Sequence, residues 1–209
     1  MLTVMPSGAP SVGKVPLHIP KWLFPFVRIS NPVRDKTLPV ELRPFQQADI
    51  PPLLTWFQTP AELVQWGGPG RTFPLDVAQM LALLAETTGA HPARRIWAGE
   101  RRGTLAAIAS VVDGGHGTAL LTMVGIAPDA RGQGLAAPFI GQILKAVFQN
   151  LAIERLELNV YTFNAAALRL YEALGFVREG IRRSLARVGE ERWDAAHYSM
   201  LRTEYQGAP

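Results

Sequence analysis

Two short patterns hold the residue types that chemistry would need. The first, Arg131-Gly-Gln-Gly-Leu-Ala136, lies between an apolar run, Leu121 to Ile126, and a long amphipathic segment. A helix beginning near Gly134 leaves its first backbone N–H groups without internal partners, and its dipole adds positive partial charge at that end. Gly132 and Gly134 let the backbone turn through positive φ and come close to a bulky anion. With Arg131 adding a full charge, a pyrophosphate fits the nest formed by Gly132, Gln133, Gly134, Leu135 and Ala136. The same hexapeptide also suits an ordinary strand-to-helix turn whose glycines serve geometry alone. The second pattern runs from Asn164 to Gly175-Phe176. Asn164 is a preferred helix N-cap, and Gly175 suits the left-handed position past a helix end. Ala167, Leu168, Tyr171 and Leu174 fall between them at helical spacing, which puts Asn164 and Tyr171 on one face, two turns apart. A phenol there can protonate a leaving group, or it can fill core space with its hydroxyl satisfied by a neighbour.

Holding these patterns requires a strand, a turn, a helix, a second strand and a second helix. Leu121 to Ile126 reads as the first strand and the alternating run Leu156 to Val160 as the second. The helix between them offers Leu135, Phe139, Ile143, Val147 and Leu151 to a sheet, with Pro138 tolerated near its start. Such a crossover demands parallel pairing. Upstream, Val40 to Phe45 reads as a strand. Asp49 is placed to cap a helix containing Ile50, Leu53, Leu54 and Phe57, and Gln65 to Gly70 reads as a loop carrying Trp66. Asp76 is placed to cap a helix with a core stripe of Val77, Met80, Leu81 and Leu84. Arg95 to Glu100 and Thr104 to Val112 read as strands joined by a tight turn, and Asp113 to Gly117 turns into the strand ending at Ile126. Phe176 to Tyr205 reads as a strand pair turning at Gly189-Glu190. Short turns make antiparallel neighbours, so the sheet is mixed.

Taken together, Arg131, Gly134 and Ala136, followed by Asn164, Ala167, Tyr171 and the pair Gly175-Phe176, resemble the two motifs of the GNAT superfamily of N-acetyltransferases. The resemblance runs from about Pro39 to Tyr205 and is strongest to the branch that includes ribosomal-protein N-terminal acetyltransferases, which Leu42-Arg-Pro-Phe, Trp193-Asp and Tyr198-Ser-Met-Leu also resemble. It implies an α/β (α+β) fold with a central mixed, mostly antiparallel sheet of about seven strands, flanked by about four helices and splayed after the fourth strand. It implies acetyl-CoA as cosubstrate, with the pantetheine arm in that splay beside the backbone of Val124 and Ile126 and the diphosphate at Arg131 to Ala136. Asn164 belongs to the same cofactor motif. Gly125, between Val124 and Ile126, is consistent with a bulge or a close ligand approach. In the resembling family Tyr171 would be the acid that protonates the departing sulfur and also a cofactor contact, while Trp66 would border the acceptor pocket. A plain packing role for Trp66 is at least as well founded.

The implied reaction is direct attack of a neutral primary amine on the thioester, its acceptor a protein or peptide N-terminus. A small-molecule amine such as a polyamine, amino acid or aminoglycoside is the alternative, as is a non-catalytic acyl-CoA sensor. The base is missing from the pattern. Some relatives carry a Glu on the fifth strand twelve residues before the tyrosine, where this chain has Asn159, which cannot accept a full proton. Glu157 shares its face, and Asp113, His116 and Glu86 are further candidates. An α-amine, with a reference pKa of about 7.7 to 8.0, is far easier to use without a strong base than a lysine amine near about 10.4.

Composition narrows the field. The 209 residues suit one domain with an appendage, and 48% hydrophobic with 18% charged residues describes a globular chain. The net charge of +4 comes from arginines spread along the chain, so a nucleic-acid-binding stripe is not expected. The lack of cysteine excludes disulfides and a cysteine acyl-enzyme, and the four histidines show no metal-ligand spacing, so no metal is expected. No apolar run reaches membrane-spanning length and no signal peptide stands out, so a cytoplasmic location is expected. Residues 1–38 form a proline-rich N-terminal arm ahead of the domain at 39–209. Its Trp22-Leu-Phe24 and Phe26-Val27 either pack on the domain or on a second subunit, making a homodimer, or belong to a disordered leader.

Overall fold

The computed structural model describes residues 40–207; the expectations for the N-terminal arm lie outside the described residues. Seven strands form one sheet in the order β1-β2-β3-β4-β5-β7-β6. The strands are β1 (Glu41–Pro44), β2 (Arg94–Arg101), β3 (Thr104–Gly115), β4 (Thr118–Ile126), β5 (Arg155–Tyr161), β6 (Val177–Val188) and β7 (Glu191–Leu201). Every neighbouring pair is antiparallel except β4 with β5, which the crossover through helix α4 (Ala136–Phe148) makes parallel. The remaining helices are α1 (Ile50–Leu54), α2 (Pro60–Gly67), α3 (Val77–Ala85) and α5 (Ala165–Ala173). The mixed, mostly antiparallel sheet of seven strands is therefore as the resemblance implies, with five α-helices among the described residues.

Two cores sandwich the sheet. On one face, Phe139, Ile140, Ile143, Leu144 and Val147 of α4 pack with Leu121, Leu156, Leu158 and Val160, joined by Tyr171 of α5. On the other, Leu53, Leu63, Trp66, Met80 and Leu83 from α1 to α3 pack with Ile96, Ile108 and Met123. Farther along that face, Val64 of α2 meets Tyr161, Ala186 and Ala195.

Several local expectations are corrected. Asp49 stands at the N-cap of α1, but its side chain accepts no amide of that helix. Its carboxylate instead takes Arg43 Nη1 and Nη2, both at 2.7 Å, and the Gln46 amide at 2.8 Å. A buried carboxylate, once offered a bidentate guanidinium, prefers it to a lone helix amide. Residues 65–67 are not loop but the end of α2, started by a capping box in which Thr59 accepts from the Glu62 amide and Glu62 accepts from the Thr59 amide. In α3, Met80 and Leu83 are buried while Val77 and Leu81 are exposed, so the stripe is rotated from the expected one. Leu151 lies beyond α4 and is 78% exposed. Asp76 does cap α3, accepting from the Gln79 amide at 2.8 Å.

Candidate active site

The crossover strands part company almost at once. β4 and β5 pair only at Thr118↔Arg155, Ala119↔Leu156 and Leu120↔Glu157, after which both continue without pairing to each other. From Leu121 to Ile126 on one side and from Leu158 to Tyr161 on the other, a wedge opens in the sheet. Ile126 turns its backbone polar groups into this wedge, because Ala127 donates to the Ala106 carbonyl at 2.9 Å across the β3–β4 ladder. That bond makes Ile126↔Ala107 a non-hydrogen-bonded pair, so the amide and carbonyl of Ile126 face away from β3. Val124 precedes it by two residues on the same edge.

A bulge sits beside this edge. The register slips between Ile108 and Ser110, and Met123 opposite takes φ 55°. Trp66 fixes the distortion by donating its indole N–H to the Met123 carbonyl at 2.8 Å. The indole is buried and stacks on Phe57 with ring centroids 4.7 Å apart. Gly125 makes room for it, since a Cβ there would lie 3.0 Å from both Cδ1 and Nε1 of Trp66. Trp66 thus holds the bulged strand from beneath, and the missing side chain of Gly125 makes room for the indole.

At the mouth of the wedge the chain runs through a 3-10 turn, Pro128–Ala130, into the glycine turn and α4. Gly132 and Gly134 take φ 72° and 74°, with open space where a Cβ would go, so conformation and not crowding calls for glycine. Leu135 is the N-cap, buried by its side chain, and the first helical rung is Phe139 to the Leu135 carbonyl at 3.1 Å. The amides ahead of it, through Ala136 and Ala137, are left for an outside acceptor. The flanking side chains brace the turn: Arg131 Nε donates to the Ile126 carbonyl at 3.2 Å, Gln133 Nε2 to the Asp129 carbonyl at 2.8 Å, and Arg101 Nη1 to Gln133 Oε1 at 2.5 Å. One consequence is that the Ile126 carbonyl is engaged and its amide is the group left for a ligand.

Helix α5 starts with Asn164 accepting from the Ala167 amide at 3.2 Å and carries Tyr171 inward. The Tyr171 ring meets Phe176 edge to face, centroids 5.6 Å apart, in the core shared with Leu158 and Val160. Burial pushes the Tyr171 phenol well above the usual phenol range. The hydroxyl therefore stays protonated at any ordinary pH, and its transfer to a thiolate is more uphill than reference values suggest.

Asn159 lies on the opposite face. It shares that face with Tyr161, two residues on, which packs on α2, and it pairs in register with His197 of β7. His197 Nδ1 is 3.1 Å from Asn159 Oδ1, and Nε2 lies 3.6 Å from Glu179 and 3.9 Å from Glu157. Arg155 binds both carboxylates, Glu157 at 2.6 Å and Glu179 at 2.8 and 2.5 Å, and Ser199 donates to Glu179 at 2.7 Å. Arg155 above all, then Ser199, holds the Glu179 carboxyl down at about 2. This cluster opens on a shallow cleft of about 380 Å³ lined by Glu179, Gly180, Ile181, Arg182 and His197. His197 and Glu179 escape a reading of the sequence because a slip in register between Arg178 and Gly180 turns Glu179 onto this face. The further base candidates are displaced: Asp113 lies near the end of β3 opposite Ala119, His116 lies in the turn after it, and Glu86 pairs with Arg94 at 2.8 Å, all toward the end where β4 and β5 still pair.

The family described as acetyltransferase (GNAT) domain matches residues 40–177. A SPbeta prophage-derived uncharacterized N-acetyltransferase, YokL, from Bacillus subtilis (strain 168) is 34% identical over 76 residues, which is 36% of this chain and 43% of that protein. The chain thus aligns with less than half the length of that relative. Among solved structures, spermidine N-acetyltransferase from Vibrio cholerae in complex with CoA and spermine superposes with a TM-score of 0.69 at 22% identity, covering 80% of this chain and 98% of that one. Ribosomal-protein-alanine N-acetyltransferase from Brucella melitensis superposes with a TM-score of 0.65 at 20% identity, covering 77% and 99%. Among the described residues no helix is long and apolar enough to cross a membrane, and no group of side chains is arranged to hold a metal.

Proposed function

The chain belongs to the acetyltransferase (GNAT) domain family, and on that premise we propose that it moves the acetyl group of acetyl-CoA by direct attack to a primary amine. The observation that carries this reading is the wedge between β4 and β5, with free amides at its mouth and a proton-loaded phenol in the core along one side. The turn Arg131 to Ala136 suits the diphosphate, and the Ile126 amide and Val124 suit the pantetheine arm as an extra strand would. Tyr171 gives the departing sulfur a hydrogen-bond donor, and Asn164 fixes the start of the helix that carries it. Backbone N–H groups on the β4 edge are suited to steady the carbonyl oxygen as it gains charge.

For the acceptor, a protein or peptide N-terminus follows from the branch resemblance and from Asn159 replacing a carboxylate. A polyamine is the second reading, favoured by Glu157 and Glu179 at a cleft on the face opposite Tyr171. Amine-dependent release of free thiol from acetyl-CoA tests the proposal, with spermidine and an alanine-terminated peptide as acceptors. Release stimulated by either supports it, whereas CoA binding without release from any amine would favour a sensor.

A further inference from the structure

If the acetyl-transfer reading holds, the incoming ammonium needs a base, and we infer that His197 supplies it, with Asn159 fixing the tautomer that makes it one. The amide oxygen of Asn159 can only accept, so the ring nitrogen 3.1 Å away, Nδ1, must carry the hydrogen. In the neutral ring the lone pair is then on Nε2. That nitrogen has no hydrogen-bond partner within 3.5 Å among the described residues, yet it faces two carboxylates, Glu179 at 3.6 Å and Glu157 at 3.9 Å. The charged groups around it are Arg155 and Glu157 from β5 and Glu179 and Arg182 from β6. Arg155 grips both carboxylates yet leaves Glu157 Oε2 without a bond to it, and that oxygen is the one nearest His197.

Position fits the task. Asn159 lies two residues beyond Glu157, the last β5 residue paired to β4, so it borders the open wedge. It faces α2, whereas Tyr171 belongs to the core on the α4 side. Groups on the two faces of a sheet can serve one atom only through a break in it, and the wedge is that break. His197 lies one strand farther from the wedge, on β7 across from Asn159, and its Nε2 faces the cleft between β7 and β6; an amine entering from the cleft side therefore meets His197 before it reaches the wedge, while the sulfur leaves on the side of Tyr171. In the balanced reaction an ammonium loses two protons. One passes to His197 Nε2 and on to solvent, which frees the nitrogen lone pair. The C–N bond then forms as the C–S bond breaks, the sulfur takes a proton from Tyr171, and the acylated nitrogen returns its second proton to the phenol. Glu157 and Glu179 attract the ammonium and then stabilise the imidazolium that replaces it.

The test uses the full chain with spermidine and an alanine-terminated peptide as acceptors. His197→Gln should lower kcat/KM at pH 7 by at least about thirtyfold, within the usual range for general-base loss, with CoA affinity unchanged. The deficit should shrink as pH rises and the amine deprotonates unaided. An undiminished rate, or a deficit independent of pH, would overturn the assignment. Long-range 1H–15N spectra of the protein give a second readout that needs no turnover: the neutral His197 ring should carry its hydrogen on Nδ1, and Asn159→Ala should release that preference. Finding the hydrogen on Nε2 in the unaltered protein would overturn the inference even if neither acceptor is used. Failure of the unaltered protein to release thiol would count instead against acetyl transfer to these amines.

Discussion

Replacing Tyr171 by Phe removes a single oxygen and keeps the ring, its edge-to-face contact with Phe176 and its place in the core. Loss of one hydroxyl changes stability by at most about 1.5 kcal/mol, so the variant should fold. The kinetic effect is larger. General acid catalysis contributes about 10² to 10⁴ in rate when the acid is well matched. Tyr171 is not well matched, because its burial raises the phenol above its usual range while a thiol stays near about 8.5, and each unit of mismatch is about 1.4 kcal/mol against full proton transfer. The phenol then acts mainly by hydrogen-bonding the sulfur as charge builds on it, and the expected loss in kcat is roughly ten- to a hundredfold, at or below the low end of that range. Steady-state thiol release over pH 6 to 9 is the assay. CoA affinity measured by calorimetry should hardly move, and the deficit should be flat with pH because the phenol does not ionise in that window. An unchanged kcat, or a loss confined to KM for acetyl-CoA, would refute the role.

Gly125→Ala places a methyl 3.0 Å from Trp66, so urea melts should show a loss of about 1–3 kcal/mol, and the displaced indole should loosen the Met123 bulge. Glu179 adds a pH dependence to stability. Its carboxyl titrates lower in the folded chain than in the unfolded one, so its stabilising contribution is present above about pH 4.5 and is lost as pH falls toward about 2. Urea midpoints should therefore decline through that window, and Glu179→Gln should flatten part of the decline; an unaltered slope would mean that Arg155 contributes nothing through Glu179.

Much of this was legible from local chemistry. The glycine turn, the Asn164 and Asp76 caps, the parallel crossover and the strand pair turning at Gly189-Glu190 all follow from short-range rules that tertiary structure left intact. Thr59-Pro-Ala-Glu62 was equally legible as a capping box, yet the glycines that follow Trp66 outweigh it when the segment is read as loop. Other features depend on partners far away in sequence. Asp49 leaves its helix for Arg43, whose guanidinium also reaches Glu100, fifty-seven residues on. Val77 and Leu81 share helical spacing with Met80, but the helix presents a neighbouring stripe to the sheet. The positive φ of Met123 and the grouping of His197 with Glu179 and Glu157 arise from register slips that no periodicity reveals.

The central claim is that the wedge between β4 and β5 holds the thioester. A crystal structure of the full chain with acetyl-CoA tests it most directly. The diphosphate should lie on the amides of Gly132 to Ala136, the pantetheine arm along the Ile126 edge, and the sulfur within hydrogen-bonding reach of the Tyr171 hydroxyl. Acetyl-CoA bound elsewhere, or β4 and β5 zipped together past Leu120 and Glu157 in its presence, would contradict it.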